Sequence, residues 1–125
     1  MPKNRPRYLN LKEIKQPIPA IISILHRVSG VLLFFPGIPI LLYSLEMFLG
    51  SLQGYTEIRF IFELPQIKFS LIALFWFFTH HLCAGIRHLA LDLNYGLRLE
   101  YARNSSKMVL VVGFFITLFF GVMIW

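Results

Sequence analysis

The sequence predicts an all-α integral membrane protein with three transmembrane helices. Residues of the set AVILMFWYC make up 57% of the 125-residue chain, and 14% are charged, whereas about one quarter of an ordinary soluble domain is charged. A helix needs about 20 mostly apolar residues to cross a hydrocarbon core of roughly 30 Å. Three segments of 18 residues come close to that length and contain no Asp, Glu, Lys or Arg: Val28–Leu45, Phe69–Ile86 and Met108–Trp125.

We expect the first span at residues 19–47, preceded by a tail of residues 1–18 on the inner side. Pro17 and Pro19 suit a helix start, because the missing N–H has no partner there. Pro36 and Pro39 lie inside the segment and should bend it. At 1.5 Å per residue the helix is roughly 43 Å long, so it should tilt or extend into the membrane interface.

The second span is expected at residues 68–93 and the third at residues 108–125. Asn94-Tyr95-Gly96 is a typical helix stop, and Trp125 suits the far membrane interface. The connections of about 20 and 14 residues should be loops. The whole chain is then one membrane domain without room for a soluble catalytic domain.

The basic residues predict the orientation. Ten of the 12 Lys and Arg residues fall on the side of the N-terminus, which should face the cytoplasm or the matrix, and the C-terminus should face the outside. The acidic residues divide three and three, so the inside has a charge of +7 and the outside −1. This excess on one side explains the net charge of +6, so binding to nucleic acid is not needed to account for it. The inner face is then where soluble partners should dock. The ten residues are Lys3, Arg5, Arg7, Lys12, Lys15, Arg27, Arg87, Arg98, Arg103 and Lys107.

Polar residues open the first span, where they are costly in a bilayer. Ser23, His26 and Arg27 follow helical spacing and should share a face, which Gly30 continues. Together they offer several hydrogen-bond donors to one polar or anionic ligand. The alternative is an arginine whose charged end reaches the membrane interface.

A second polar group lies on the second span. His81, Gly85, His88 and Asp92 fall within about 60° of each other on a helix, and His80 lies on an adjacent face with Arg87. A single intramembrane histidine is more often hydrogen-bonded to a neighbouring helix. Four histidines at membrane depth or its inner edge favour a cofactor.

Haem suits this pattern better than zinc, because zinc requires a compact set of close ligands. Haem needs an axial histidine, an apolar slot and basic groups for its propionates. His81 would be the ligand, Gly85 would leave room for a flat ring, and His26 and Arg27 open the first span at the side of the propionates. The second axial ligand should come from a partner subunit, and Cys83 should be a packing residue.

The sequence resembles the cytochrome b subunits of succinate dehydrogenase (respiratory complex II). The resemblance covers nearly the whole chain and rests on three segments in matching order and spacing. These are Arg5-Pro6 with Leu9-Asn10-Leu11, then Ser23-Ile24-Leu25-His26-Arg27-Val28-Ser29-Gly30, and finally His81-x-x-x-Gly85-Ile86-Arg87-His88-x-x-x-Asp92.

The resemblance implies partners and cofactors. With a second small membrane-anchor subunit, the chain would hold one shared haem b and form a ubiquinone site. It would attach an iron–sulfur subunit and a flavoprotein to a bacterial or mitochondrial inner membrane. Electrons from succinate, in the tricarboxylic acid cycle and aerobic electron transport, would reach ubiquinone there. The chain would not be an enzyme on its own.

The resemblance also implies roles for individual residues. His81 matches the axial haem ligand, Ser23 and Arg27 match the quinone site, and His26 with Arg27 lies near the haem propionates. Asp92 and His88 would act indirectly. The adjacent His80 departs from the family pattern, so either imidazole of the pair could bind iron, with His81 favoured by its place beside Gly85.

Three alternatives remain open from the sequence. The chain could be the anchor of a fumarate reductase, which runs the reaction in the opposite direction. It could be a structural anchor without haem, in which the histidines only pack. It could conduct protons or solutes along the His/Asp stripe, although the sequence has no internal repeat to support a transporter.

Overall fold

A computed structural model describes residues 14–125, and all regular secondary structure in that range is helical. Within residues 14–125 three helices are long and apolar enough to cross a membrane: Ile18–Gly50, Pro65–Asp92 and Leu99–Ile124. The predicted fold class is therefore confirmed. The tail segments Arg5-Pro6 and Leu9-Asn10-Leu11 lie outside the described residues.

The first span contains three consecutive helical segments: α1 (Ile18–Leu32), a π-helical turn (Leu33–Gly37) and α2 (Ile38–Gly50). Pro36 lies inside the π turn, and the backbone N–H of Ile38 donates to the carbonyl of Leu33 five residues earlier. A proline in a regular α-helix clashes with the carbonyl four residues before it. The wider π turn makes room for that contact, so the span continues through Pro36 as a helix.

The connection after the first span is a helix, although its sequence was expected to form a loop. Helix α3 (Leu52–Glu63) begins after Ser51, whose side chain accepts a hydrogen bond of 3.0 Å from the Gly54 N–H. A Cβ added at Gly54 would lie 2.5 Å from the Met47 carbonyl oxygen, so this tight corner requires glycine. Ile58 is buried, and α3 packs against α2 and α4.

The second span, α4 (Pro65–Asp92), follows α3 directly. Pro65 occupies the first turn, and the Lys68 ammonium lies 2.7 Å from the Glu63 carboxylate across the junction. The hydrogen bond and the charge of Lys68 lower the pKa of Glu63. The junction between α3 and α4 is therefore joined by an ion pair at neutral pH.

The third span, α5 (Leu99–Ile124), begins well before the charge-free segment at Met108. Asn94 and Gly96 form the preceding turn with positive φ angles of 63° and 74°. Asparagine and glycine are the residues that adopt this backbone conformation most readily. The turn reverses the chain so that α5 packs against α4.

Helix α4 lies at the centre and packs against both α1 and α5. A small core forms where the three meet, at Ile22, Ala84 and Val109, and Cys83 packs at its edge. Many large apolar side chains outside this core are exposed, and surfaces of this kind are covered by lipid or by other subunits. Examples are Phe35, Leu41, Ile86, Leu89 and Phe119.

Candidate functional site

The two polar groups predicted from the sequence meet between α1 and α4. The His26 and His81 rings stack with centroids 4.2 Å apart and planes 9° from parallel. The centroid of the His88 ring lies 5.1 Å from that of His26. Gly85 also faces His26, whose Nε2 would lie 3.4 Å from an added Cβ. Three members of the stripe on α4, His81, Gly85 and His88, therefore lie against His26 of α1.

The ring of His81 is oriented through its Nδ1 atom. This nitrogen lies 3.1 Å from the backbone oxygen of His26 and 3.1 Å from the hydroxyl of Ser29. The carbonyl can only accept, so Nδ1 bears the proton and donates it. In this tautomer Nε2 has a free lone pair, which is the state in which imidazole binds a metal ion.

An apolar groove of about 540 Å³ lies beside His81. His81 forms part of its wall. The remaining lining residues belong to the first two spans, apart from one residue of α5. These residues fit a flat hydrophobic ring system, with the imidazole of His81 at its edge. The lining residues are Gly30, Leu33, Phe34, Gly37, Ile38, Leu41, Leu71, Leu74, Phe75, Phe78 and Phe120.

The glycines that line this groove are not the one expected from the sequence. We expected Gly85 to leave space for a flat ring, but Gly85 faces His26. Gly30 and Gly37 line the groove instead. A Cβ added at Gly30 would lie 3.1 Å from Cε1 of His81, so a larger residue there would require the ring to move by a few tenths of an ångström.

His80 lies on a different face of α4 from His81, as the helical spacing predicts. Its side chain is buried, with 1% exposure, and stacks on Trp76 with centroids 5.3 Å apart. Among the described residues its buried Nε2 has no hydrogen-bond partner. Arg87 is also buried and donates to the Ser105 hydroxyl at 3.0 Å and the Ala102 carbonyl at 3.2 Å, both on α5.

The remaining predicted residues lie at the periphery of the chain. Ser23 and Arg27 are one turn apart on α1, and Ser23 is half-buried while Arg27 is exposed. His88 is half-buried beside His26, whereas Asp92 is exposed at the end of α4. The structure thus brings His26, His81 and His88 together, and leaves the polar groups of Arg27 and Asp92 open to other molecules.

Ser29 contacts His81, although the sequence did not single it out as a site residue. It is fully buried, donates a 2.8 Å hydrogen bond to the His26 carbonyl and contacts His81. The available signal was its place three residues after His26, because a serine in a helix commonly hydrogen-bonds a carbonyl three or four residues earlier. That spacing alone gives no indication of the contact with the second span.

The fold and the site define a multi-pass membrane protein with three helices and an imidazole beside an apolar groove. Comparison with known proteins identifies its family. Residues 1–120 match the family described as "Succinate dehydrogenase/Fumarate reductase transmembrane subunit". The chain belongs to this family, which confirms the resemblance drawn from the sequence.

Individual relatives agree with this assignment over most of their length. The succinate dehydrogenase cytochrome b556 subunit of Coxiella burnetii is 34% identical over 126 residues, covering 100% of both chains. The subunit of the same name from Rickettsia felis is 33% identical and covers 91% of this chain and 88% of its own. That of Paracoccus denitrificans is 31% identical, with 86% and 82% covered.

Proposed function

We propose that the chain is the haem- and quinone-binding membrane anchor of a succinate dehydrogenase. The observation that supports this most directly is the imidazole of His81, which has its Nδ1 hydrogen-bonded and lies in the wall of an apolar groove. The relatives named cytochrome b556 support a b-type haem as the group bound there. The family description includes both succinate dehydrogenase and fumarate reductase. The names of these relatives favour succinate dehydrogenase.

In this proposal His81 is the axial ligand contributed by the chain. His26, stacked on His81, and Arg27, one residue further along α1, would contact the haem propionates. A second small anchor subunit would provide the other iron ligand, and the haem would be shared between the two subunits. Haem b, when bound, supplies a carrier for one electron.

Ser23 and Arg27 form the contribution of the chain to the ubiquinone site. The hydroxyl of Ser23 donates a hydrogen bond to a quinone carbonyl, and the guanidinium of Arg27 stabilises negative charge on the reduced quinone oxygen. The exposure of Arg27 in the isolated chain supports a role toward a ligand or another subunit. Asp92 and His88 act indirectly from the same end of α4.

The proposed orientation follows from the basic residues and determines where electrons enter. The N-terminus lies in the cytoplasm or matrix, and the iron–sulfur subunit with the flavoprotein attaches to this positively charged face. Ser23 and Arg27 lie near the start of the first span, so the quinone site is at the same face. Electrons from succinate then cross a short distance to ubiquinone.

A reduced-minus-oxidised spectrum of the purified complex tests the proposal. We expect the α-band of a b-type haem in the parent complex. His81→Ala should remove it or convert it to a high-spin spectrum, while the adjacent His80→Ala should retain it. A parent complex without an α-band would leave a structural anchor as the function. Loss of the band only in His80→Ala would assign the ligand to the other histidine.

A further inference from the structure

Ser29 links the two spans at the point where His81 is held. Its side chain is completely buried, on the face of α1 that packs against α4. The hydroxyl donates to the backbone oxygen of His26 at 2.8 Å and lies 3.1 Å from Nδ1 of His81. One hydroxyl group therefore contacts both the helix it belongs to and the imidazole of the neighbouring span.

The direction of these hydrogen bonds follows from the chemistry of the groups. The His26 carbonyl can only accept, and the single proton of the Ser29 hydroxyl is donated to it. The Ser29 oxygen then has lone pairs available for the proton on His81 Nδ1. Two acceptors share this proton, the carbonyl and the hydroxyl, each 3.1 Å from Nδ1. This arrangement favours the tautomer in which Nε2 is unprotonated.

The His81 ring is also confined on two other sides. The His26 ring covers one face at a centroid distance of 4.2 Å, and Gly30 allows the edge at Cε1 to approach α1. Stacking and close approach limit how far the ring can move, but they do not select a tautomer. The hydrogen bonds at Nδ1 provide that selection, and Ser29 is the side chain that contributes to them.

We propose that Ser29 is a positioning residue that holds the tautomer and plane of His81 and increases the electron donation of its Nε2 to a bound haem iron. The proposal rests on the proposed role of His81 as axial ligand. A hydrogen-bond acceptor on the far nitrogen of a ligating histidine raises the basicity of the ligand. A more basic ligand stabilises ferric iron relative to ferrous iron and so lowers the midpoint potential.

Ser29→Ala removes one of the two acceptors and leaves the His26 carbonyl in place. We expect haem to remain bound and its midpoint potential to rise. Only the part of this hydrogen bond that differs between the two oxidation states shifts the ferrous-to-ferric equilibrium, so we expect a shift of up to about tenfold. Tenfold equals 59 mV for a one-electron couple. The EPR signal of the ferric haem should also shift, because the ring plane is less restricted.

Ser106→Ala is the matched control. Ser106 is equally buried and donates to the Ala102 carbonyl, and both residues are on α5. Ser106→Ala removes the same type of hydrogen bond as Ser29→Ala, but at a residue that does not contact His81 directly. The assembled complex in its membrane serves for all measurements, which are haem content, redox titration of the α-band and EPR. If Ser29→Ala fails to assemble, Ser29→Cys replaces it, because a thiol of similar size is a weak acceptor.

The outcomes separate this inference from the proposed function. A raised potential and altered EPR signal in the Ser29 variant, with both unchanged in Ser106→Ala, support the role of Ser29. Parental potential and EPR in the Ser29 variant, or an equal shift in both variants, overturn it. A parent complex without haem, or unaltered haem in His81→Ala, would instead overturn the axial role of His81.

Discussion

The imidazole rings of His26 and His81 are stacked 4.2 Å apart although the two residues belong to different membrane spans. His26 contributes its ring to one face of His81 and its backbone oxygen to Nδ1. The residue before Arg27 thus determines the geometry of the residue proposed to bind haem. The two candidate sites, for haem and for quinone, therefore share one turn of α1, and changes in that turn should affect both.

Replacement of Ser23 or Arg27 by alanine is expected to separate the two half-reactions. Arg27→Ala should lower the rate of ubiquinone reduction by at least tenfold, because a hydrogen bond to a charged group contributes about 1.5–3 kcal/mol. Ser23→Ala should lower it by about two- to tenfold, because a hydrogen bond between neutral groups contributes about 0.5–1.5 kcal/mol. Succinate oxidation with a soluble dye should be unchanged, since that reaction occurs in the soluble subunits. Arg103→Ala, which removes another exposed arginine from the same proposed face, is the control. Full quinone reduction in both variants would show that the quinone assignment is wrong.

A methyl group at Gly30 should disturb His81 without altering its chemistry. The added Cβ would lie 3.1 Å from Cε1 of the ring, so the ring must shift, at a cost of about 1–3 kcal/mol. We expect Gly30→Ala to lower the haem content or to change the haem spectrum. Gly113→Ala is the matched control, because an added Cβ there meets nothing within 4 Å. Identical spectra for both variants would contradict the close approach at Gly30.

Arg87 should contribute to stability through its contacts with α5. Its guanidinium donates to Ser105 and Ala102, and truncation removes both bonds from a buried position. We expect Arg87→Ala to lower the free energy of unfolding by about 1–3 kcal/mol. The measurement is the thermal stability of the solubilised complex, compared with exposed Arg103→Ala. Equal stability of the two variants would show that the link between α4 and α5 is dispensable.

Cysteine labelling tests the orientation predicted from the basic residues. In a Cys83→Ala background, Gln53→Cys on α3 and Arg103→Cys on α5 introduce exposed thiols at opposite ends of the spans. An impermeant maleimide added to intact spheroplasts should label Gln53→Cys only. Arg103→Cys should react after solubilisation in detergent. The opposite pattern would place the N-terminus outside.

The sequence predicts the features that depend on composition and regular spacing. Charge-free segments indicate three spans because the cost of an intramembrane charge is large and independent of detailed packing. Helical spacing correctly separates His80 from His81, since positions on one helix follow from 100° per residue. These inferences need no knowledge of how the helices meet.

The rest depends on contacts between helices, for which the sequence has no direct signal. Gly85 was expected beside a flat ring but faces His26, and Gly30 is the glycine beside His81. Ser29 contacts His81 across 52 positions of sequence. The connection predicted as a loop forms α3. The N-cap at Ser51 was a local signal for this helix, but the mixed polarity of the segment obscured it. For Gly85, Gly30 and Ser29 the register of one helix against another decides the outcome.

The π turn at Leu33–Gly37 makes the first span tolerant of a change in length at one place. A π turn corresponds to one residue inserted into an α-helix, so deletion of Pro36 would restore a regular helix and also remove the clash of that proline. The helical phase of α1 and α2 would then be maintained, with Gly30 and Leu41 still facing the same groove. A deletion elsewhere in the span would rotate all later side chains by about 100°. Relatives that differ by one residue within this span are therefore expected to differ at the π turn.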